Sequence, residues 1–392
     1  MKELNFRIRV ITPLFMSGAD QEAVELRPPS IRGALRFWFR AMMGGVVGGD
    51  IEKVRQLEAE TFGSTEQASA IKIRINAPAP QEKLWDFQLR SDRGIVYLGY
   101  GLSGSRTTPR RVYVTPDPPG YEFELTLSCQ HERVQSVAIG TLWLLAQFGG
   151  LGARTRRGFG SVEISQVTGD LPSNVQSLFA SSSEPLAKWL QKNLVQVRKL
   201  FADFAGAKIQ EPADPVFPVI SKDHWVCRVL DQTFPSWKEA LNWIGEEFRK
   251  YKEDRARAPH TRTTSTGSFS YYISKDYDKV KKLFTPGQRP GQLNLPIFGL
   301  PLQFQFQSIR KKARVVGEKH ERRSSPLHIR VRRDVEGYRV CLICFKSRFL
   351  GDQERLRIED IDNPKNFVLV SVPSWQDLDG FISQFAGQEV KV

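Results

Sequence analysis

Three arginines with no accompanying acid stand in the stretch Gly149–Gly160, which reads GGLGARTRRGFG. Arg154, Arg156 and Arg157 have the chemistry to grip phosphates through charge-assisted hydrogen bonds, or to stack on nucleobases. The glycines let backbone approach a ligand and adopt positive φ. Gly152 and Gly158 are therefore placed with the arginines in a candidate RNA-binding site. Phe159 offers a further stacking face. The stretch follows an apolar helix and enters a strand, so it is not a Walker loop, which precedes a helix and ends in Gly-Lys-Ser/Thr. The plain alternative is a long glycine-rich connection with incidental charge.

A second basic element is SIRGALRFWFRAMM. Arg32, Arg36 and Arg40 recur every four residues and so line one side of a helix. Leu35, Trp38, Phe39 and Met42 occupy the buried side. Ser30, after Pro28-Pro29, is the expected N-cap, and the helix is expected to end near Met43. Its N-terminus presents N–H groups and a positive dipole end to a phosphate, and Gly33 in the first turn permits close approach by another backbone. An ordinary solvated face of an amphipathic helix is the alternative. A third block, Arg310–Arg333, holds ten Lys or Arg against Glu318 and Glu321. It reads as a hairpin of LPLQFQFQ and SSPLHIRVRR joined by a charged loop, with Lys311, Lys312, Arg314, Arg322 and Arg323 as candidate RNA contacts. Such a hairpin suits a nucleic-acid backbone or an acidic protein.

Catalytic patterns are weak. The five histidines (His131, His224, His260, His320, His328) show no HxxxH or HExxH spacing, and no GxSxG occurs. Asp20, Glu22 and Glu25 in SGADQEAVELRPP read first as solvated loop acids; the alternative is that they hold a cation near RNA, which makes this loop the place to seek nuclease activity. Gly99–Gly104 fits GxGxxG, but the following SRTTPRRVYV is no helix, so a dinucleotide site fails its context. Cys341 and Cys344 form a lone CxxC in a strand, where residues three apart face opposite sides, and they read as core cysteines. No cofactor and no metal site is expected.

The elements that must position these residues come from a chain of 392 residues with net charge +14 and pI near 9.7. That balance points to a polyanionic partner, nucleic acid first. The opening MKELNFRIRVITP carries charges inside any apolar core, so no secretory leader is expected. The run Val134–Leu151 is too short and polar to span a bilayer. Four cysteines make no disulfide framework, and a reducing, cytoplasmic location without membrane contact is expected. FRIRV (6–10), IKIRI (71–75) and YEFELTL (121–127) alternate as strands, GIVYLGYG (94–101) reads as a buried strand, and SVEISQV (161–167) closes the unit. With helices from Ser30 and over about 132–148, the order is β-α-β-β-β-α-β. Without one strand this is the ferredoxin-like, RRM-like plan. A linker near 168–184 leads to an amphipathic helix from Leu186 that stops at Gly206. The second half reads as strands at 224–230 and near 297–307, 326–333, 338–346 and 367–372. SWKE and SWQD are capping sequences there, and a polar insertion is expected to be mobile. The expected architecture is α+β, with two tandem ferredoxin-like (βαββαβ) domains: 1–170, with the glycine-rich loop 149–160, and 185–392, with an insertion near 254–292.

ITPLFMSGAD, LRPPSIRGALRFWFRAMM and GGLGARTRRGFGSV together resemble the RAMP superfamily of CRISPR proteins, whose signature is a glycine-rich loop after the last helix of a ferredoxin-like domain. PPSIRGALRFWFR is most similar to the first RAMP subunit of the type III-B (Cmr) effector complex. The resemblance covers about residues 6–45 and 149–163, with FGLPLQF and RRSSPLHIRV adding to it in the second half. It implies a non-catalytic subunit of an RNA-guided antiviral complex that contacts guide RNA (crRNA) or target RNA near the 3′ end of the guide, together with neighbouring RAMP subunits. Ser30, Arg32, Gly33, Arg36, Gly152, Arg154, Arg156, Arg157 and Gly158 fall on its motifs. The alternatives are a RAMP-type endoribonuclease, with Asp20 or His131 as the residues to test, and a structural adaptor that touches only protein.

Overall fold

Alternating apolar and charged residues make β1 (Lys2–Val10), which buries Leu4, Phe6, Ile8 and Val10 and leaves Arg7 exposed. After it come α1 (Pro28–Val46), α2 (Ile51–Phe62), β2 (Ile71–Asn76), β3 (Glu122–Cys129), α3 (Glu132–Phe148) and β4 (Val162–Thr168). The computed structural model describes residues 2–20, 22–104, 109–256, 258–264 and 267–392. The strands form one sheet in the order β2–β3–β1–β4, with every neighbouring pair antiparallel. The stretch 94–101, expected as a strand, is instead a short helix, Arg93–Leu98. An apolar run this short does not reveal its period, and buried Ile95 and Leu98 are spaced for one helix face. Without that strand the main elements run β-α-β-β-α-β. A small hairpin, Glu82–Leu84 with Val112–Val114, is added to them. Residues 105–108, which follow the GxGxxG match, lie outside the described residues.

α1 has its N-cap three residues earlier than the expected Ser30. Arg27 is the N-cap, and Pro28 and Pro29 fill first-turn positions where no N–H is needed. It ends at Val46, beyond the expected Met43, and Gly44-Gly45 lets residues 217–220 cross its last turn: a Cβ at Gly45 would stand 1.9 Å from the Ile220 carbonyl oxygen. α2 was not foreseen; Asp50 caps it by accepting the Lys53 N–H at 3.0 Å. α4 (Leu186–Ala205) ends as expected at Gly206, whose φ is 61° and whose N–H reaches the Ala202 and Asp203 carbonyls. The core joins Phe6 and Ile8 of β1, Leu35, Trp38 and Phe39 of α1, α3, and Leu194 and Phe201 of α4. Each such side chain removed from water contributes about 1.5–3 kcal/mol.

The chain continues through β5 (Trp225–Phe234), α5 (Trp237–Lys252), β6 (Leu302–Phe306), β7 (Lys311–Gly317), β8 (Leu327–Asp334), β9 (Gly337–Phe345), β10 (Leu356–Asp360), β11 (Phe367–Val370), α6 (Gln376–Ser383) and β12 (Gly387–Val390). A second four-stranded sheet runs β8–β9–β5–β12 and a third β6–β7–β10–β11. The expected hairpin between LPLQFQFQ and SSPLHIRVRR does not form. The charged stretch between them is itself a strand, β7, which pairs with β6 on one side and β10 on the other, while β8 belongs to the second sheet. β7 buries Ala313 and Val315 and pairs its charges sideways, an alternation hidden by the density of Lys and Arg. Cys341 and Cys344 are buried on β9. Within the polar insertion, His260–Thr264 pairs with Gly267–Tyr271; residues 257 and 265–266 lie outside the described residues. The fold is mixed α/β with antiparallel sheets. It divides into two compact units, Met1–Gly245 with His328–Ser347 and Ala386–Val392, and Glu246–Leu327 with Arg348–Phe385. Among the described residues no helix is long and apolar enough to cross a membrane.

Candidate nucleic-acid interface

The glycine-rich turn leaves α3 and folds back onto the segment that follows β1. The Ala153 N–H donates to the Phe15 carbonyl at 2.7 Å, and the Gly160 N–H donates to the Pro13 carbonyl at 2.9 Å. The Thr12 hydroxyl donates to the Gly158 carbonyl at 2.7 Å and accepts the Ser161 N–H at 2.9 Å. Two glycines are required by this packing. Gly152 has φ 83°, and a Cβ there would lie 2.3 Å from the Phe15 carbonyl oxygen. Gly158 is buried with φ 86°, and its Cβ would lie 2.6 Å from a Leu241 methyl. Both glycines therefore shape the turn against the protein's own chain, where the sequence suggested approach by a ligand.

The arginines of the turn divide by position. Arg154 is exposed and held at φ 60°, a conformation non-glycine residues seldom take; its guanidinium donates to the Tyr100 carbonyl. Arg156 places its guanidinium carbon 5.9 Å from the ring centre of Phe37 on α1. Arg157 is half-buried and pairs as a parallel bridge with Ile329, and the Ile329 N–H donates to the Arg156 carbonyl at 3.0 Å. Burial pushes the Arg157 pKa down to about 10; Tyr97 opposes the shift, and Arg154 and Arg156 add to it. Burial, followed by Arg156 and Arg157, also drives His328 well below the usual histidine range. His328 is thus a neutral ring, stacked on Phe37 with centroids 5.8 Å apart. The turn, α1 and β8 meet around this pair of rings.

The arginine row of α1 is arranged differently from the sequence expectation. Arg36 Nη1 donates to Glu58 Oε1 at 2.9 Å, and its Nη2 donates to the carbonyls of Phe62 at 3.0 Å and Gly63 at 2.5 Å. Arg40 reaches the same carboxylate at 3.3 Å. Glu58 is only 5% exposed. Arg32 donates to the Phe62 carbonyl at 3.2 Å; burial and then Arg36 lower its pKa. The row is therefore the seam between α1 and α2. It neutralises a buried acid and satisfies carbonyls at the C-terminal end of α2. Ser30 and Gly33 remain exposed, and nothing lies within 4 Å of the Cβ position at Gly33.

The remaining candidates belong to the other compact unit. Lys312 and Arg322 are exposed there. Lys311 reaches Asp360 at 3.3 Å, and Arg314 pairs with Glu359 and, at 3.4 Å, with Glu321. Arg323 donates to the Arg348 carbonyl at 3.1 Å and lies 5.7 Å from the Phe349 ring centre.

Asp20 and His131 are not brought together. His131 is the N-cap of α3, whose 17 residues span about 25 Å. The loop that carries Asp20 meets the glycine-rich turn, through Phe15, beyond the far end of that helix. Among the described residues no group of three or more His, Cys, Asp or Glu could hold a metal ion. Sequence reasoning missed Glu58, because α2 was unforeseen, and missed Phe37, Tyr100 and His328, which no local spacing marks.

The sequence pattern of the RAMP superfamily matches residues 7–163, from β1 through the turn into the start of β4. Two proteins of Pyrococcus furiosus are similar in sequence. The CRISPR system Cmr subunit Cmr1-1 is 35% identical over 169 residues, 42% of this chain and 48% of that protein. The matched segment thus spans about half of that relative's length. Cmr subunit Cmr1-2 is 31% identical over 179 residues, 42% of this chain and 96% of that protein. Two solved structures share the fold. The crystal structure of Cmr1 from Pyrococcus furiosus in its apo form matches over 100% of this chain and 99% of that one, with TM-score 0.65 and 22% identity. A chain of the type III-B Cmr-beta complex bound to cognate target RNA matches over 90% of this chain and 97% of that one, with TM-score 0.50 and 14% identity. The chain belongs to the RAMP superfamily, among its Cmr1 members.

Proposed function

We propose that the protein is a non-catalytic, cytoplasmic RNA-binding subunit of a type III-B CRISPR RNA-guided effector complex. It contacts guide or target RNA toward the 3′ end of the guide, beside neighbouring RAMP subunits. The reading is supported by relatives named as Cmr subunits and by the match to a complex described as bound to cognate target RNA. It is also supported by the repeated strand order: β2–β3–β1–β4 and β8–β9–β5–β12 suit two tandem ferredoxin-like domains with insertions. The observation that carries it is Arg156 above Phe37, which gathers the turn against α1. Exposed Arg154 and Ser30, half-buried Arg156 and the open backbone at Gly33 form the seat, and Arg32 flanks it. Half-buried Arg36 and exposed Arg40 fix α1 to α2 through Glu58, and half-buried Arg157 backs the turn. Affinity comes from phosphate neutralisation, and sequence is read by base pairing between the RNAs. Ultraviolet crosslinking of RNA in the assembled complex tests this: peptides containing Arg154, Arg156 or Ser30–Gly33 are expected to carry RNA, and crosslinks confined to other segments refute the placement.

A further inference from the structure

The unit formed by Glu246–Leu327 and Arg348–Phe385 carries an open groove at one end of its sheet. Three turns meet there: the 3-10 turn that ends in Phe284, the β6–β7 turn, and the β10–β11 turn. Phe284, Thr285, Ile309, Lys311 and Asn366 line the groove. An adjoining hollow shares Lys311 and adds Gln307, Arg310 and Lys312.

The surface is mixed in a particular way. Ile309 is 39% exposed at the tip of a basic turn, and Phe284 packs edge-on against Phe306 at 5.7 Å. Lys311 is fixed as a wall, 3.3 Å from buried Asp360 and 5.7 Å from the Phe284 ring centre. Arg310 and Lys312 project into solvent, and Lys281 reaches Ser308 at 3.3 Å beside them. Arg310 is held at φ 50°, where glycine would be less strained. Among the described non-glycine residues only Arg154, Arg310 and Gln353 have positive φ, and strain of this kind collects at binding sites. Cations alone would suit an acidic peptide. The apolar floor and the amide groups of Gln307 and Asn366 add a stacking face and partners for base edges, which a nucleotide uses and an acidic side chain does not.

We infer that this groove binds a single-stranded RNA segment, with a base against Ile309 and Phe284 and adjacent phosphates on Arg310 and Lys312. The inference rests on the RNA-binding reading above and adds a second contact, in the other unit. The test uses the full chain and oligouridine containing 4-thiouridine, crosslinked and mapped by peptide. Crosslinks are expected within 283–286 or 307–312, and they should persist in an Arg154→Glu, Arg156→Glu variant. Arg310→Glu with Lys312→Glu, both exposed, is expected to leave the melting temperature unchanged and to cut these crosslinks roughly ten-fold. It should also lower the slope of log affinity against log salt by about 1.4. Ile309→Ala should cut the crosslinks and leave the slope unchanged. Crosslinks at 154–156 with none in the groove overturn this inference and leave the first reading standing. Absence of crosslinks anywhere overturns both. Protection of the groove segments by polyglutamate in place of RNA overturns it in favour of an acidic protein partner.

Discussion

The guanidinium carbon of Arg156 lies 5.9 Å from the ring centre of Phe37, and His328 stacks on the same ring at 5.8 Å. Each residue comes from a different element: the turn after α3, helix α1 and strand β8. A cation over an aromatic face contributes about 0.5–2 kcal/mol, depending on its exposure. Because burial and the two nearby arginines keep His328 neutral, the cluster gains no further positive charge near physiological pH. The turn is thereby held against the helix, and Arg154 is left at the surface.

Arg330 holds the base of the same turn. It is 1% exposed and donates to the carbonyls of Ala146, Gly149 and Val162. Arg330→Met removes the donor for three buried acceptors and is expected to cost about 3 kcal/mol or more. Urea denaturation of the full chain measures the loss. Arg330→Lys should restore only part of it, because a planar fork fits separated carbonyls better than a point charge does.

Two glycines should behave oppositely. Gly152→Ala forces a Cβ to 2.3 Å from a backbone oxygen at φ 83°, and a fall in stability of about 2 kcal/mol or more is expected from strain and overpacking. Gly33→Ala meets open space within a helix and should raise stability by about 0.5–1 kcal/mol. If RNA backbone approaches at Gly33, the stabilised variant binds RNA more weakly. Thermal melts beside binding titrations separate the two effects.

Glu354 predicts acid sensitivity. Burial alone would raise its pKa. The His320 ring at 2.8 Å and the N–H groups of His320, Lys319 and Gly351 overcome that and hold it at about 2, below the ordinary 4.5. A carboxylate depressed in the folded state contributes stability that is fully present above its unfolded pKa. That contribution is lost as pH falls from about 4.5 toward 2. Glu354→Gln should flatten this limb of a stability-against-pH curve; an unchanged acid limb would contradict the assignment.

Much of the first half was legible because alternation and capping are local. β1, β2, β3, α3 and the stop of α4 at Gly206 follow from period and glycine alone. Ser236 also caps α5 as its sequence suggests, its hydroxyl accepting the Glu239 N–H at 3.1 Å and donating to the Glu239 carboxylate at 3.2 Å. Partnership was not legible. The α1 arginines resembled a ligand-facing row because spacing shows which residues share a side and cannot show that α2 covers it with Glu58. β7 resembled a loop because its charges find partners across the sheet, in Glu359 and Asp360. Within the turn, the sequence showed three equivalent arginines; packing against Ile329 half-buries Arg157 and leaves Arg154 outermost.

The central claim is that Arg154 and Arg156 seat a sugar-phosphate backbone. Fluorescence anisotropy of single-stranded RNA with the full chain, at several salt concentrations, tests it most directly. Arg154→Glu with Arg156→Glu is expected to weaken binding at least roughly ten-fold and to lower the log–log salt slope by about 1.4, the value for two lost phosphate contacts. Wild-type affinity and slope in a variant with an unchanged melting temperature would contradict it.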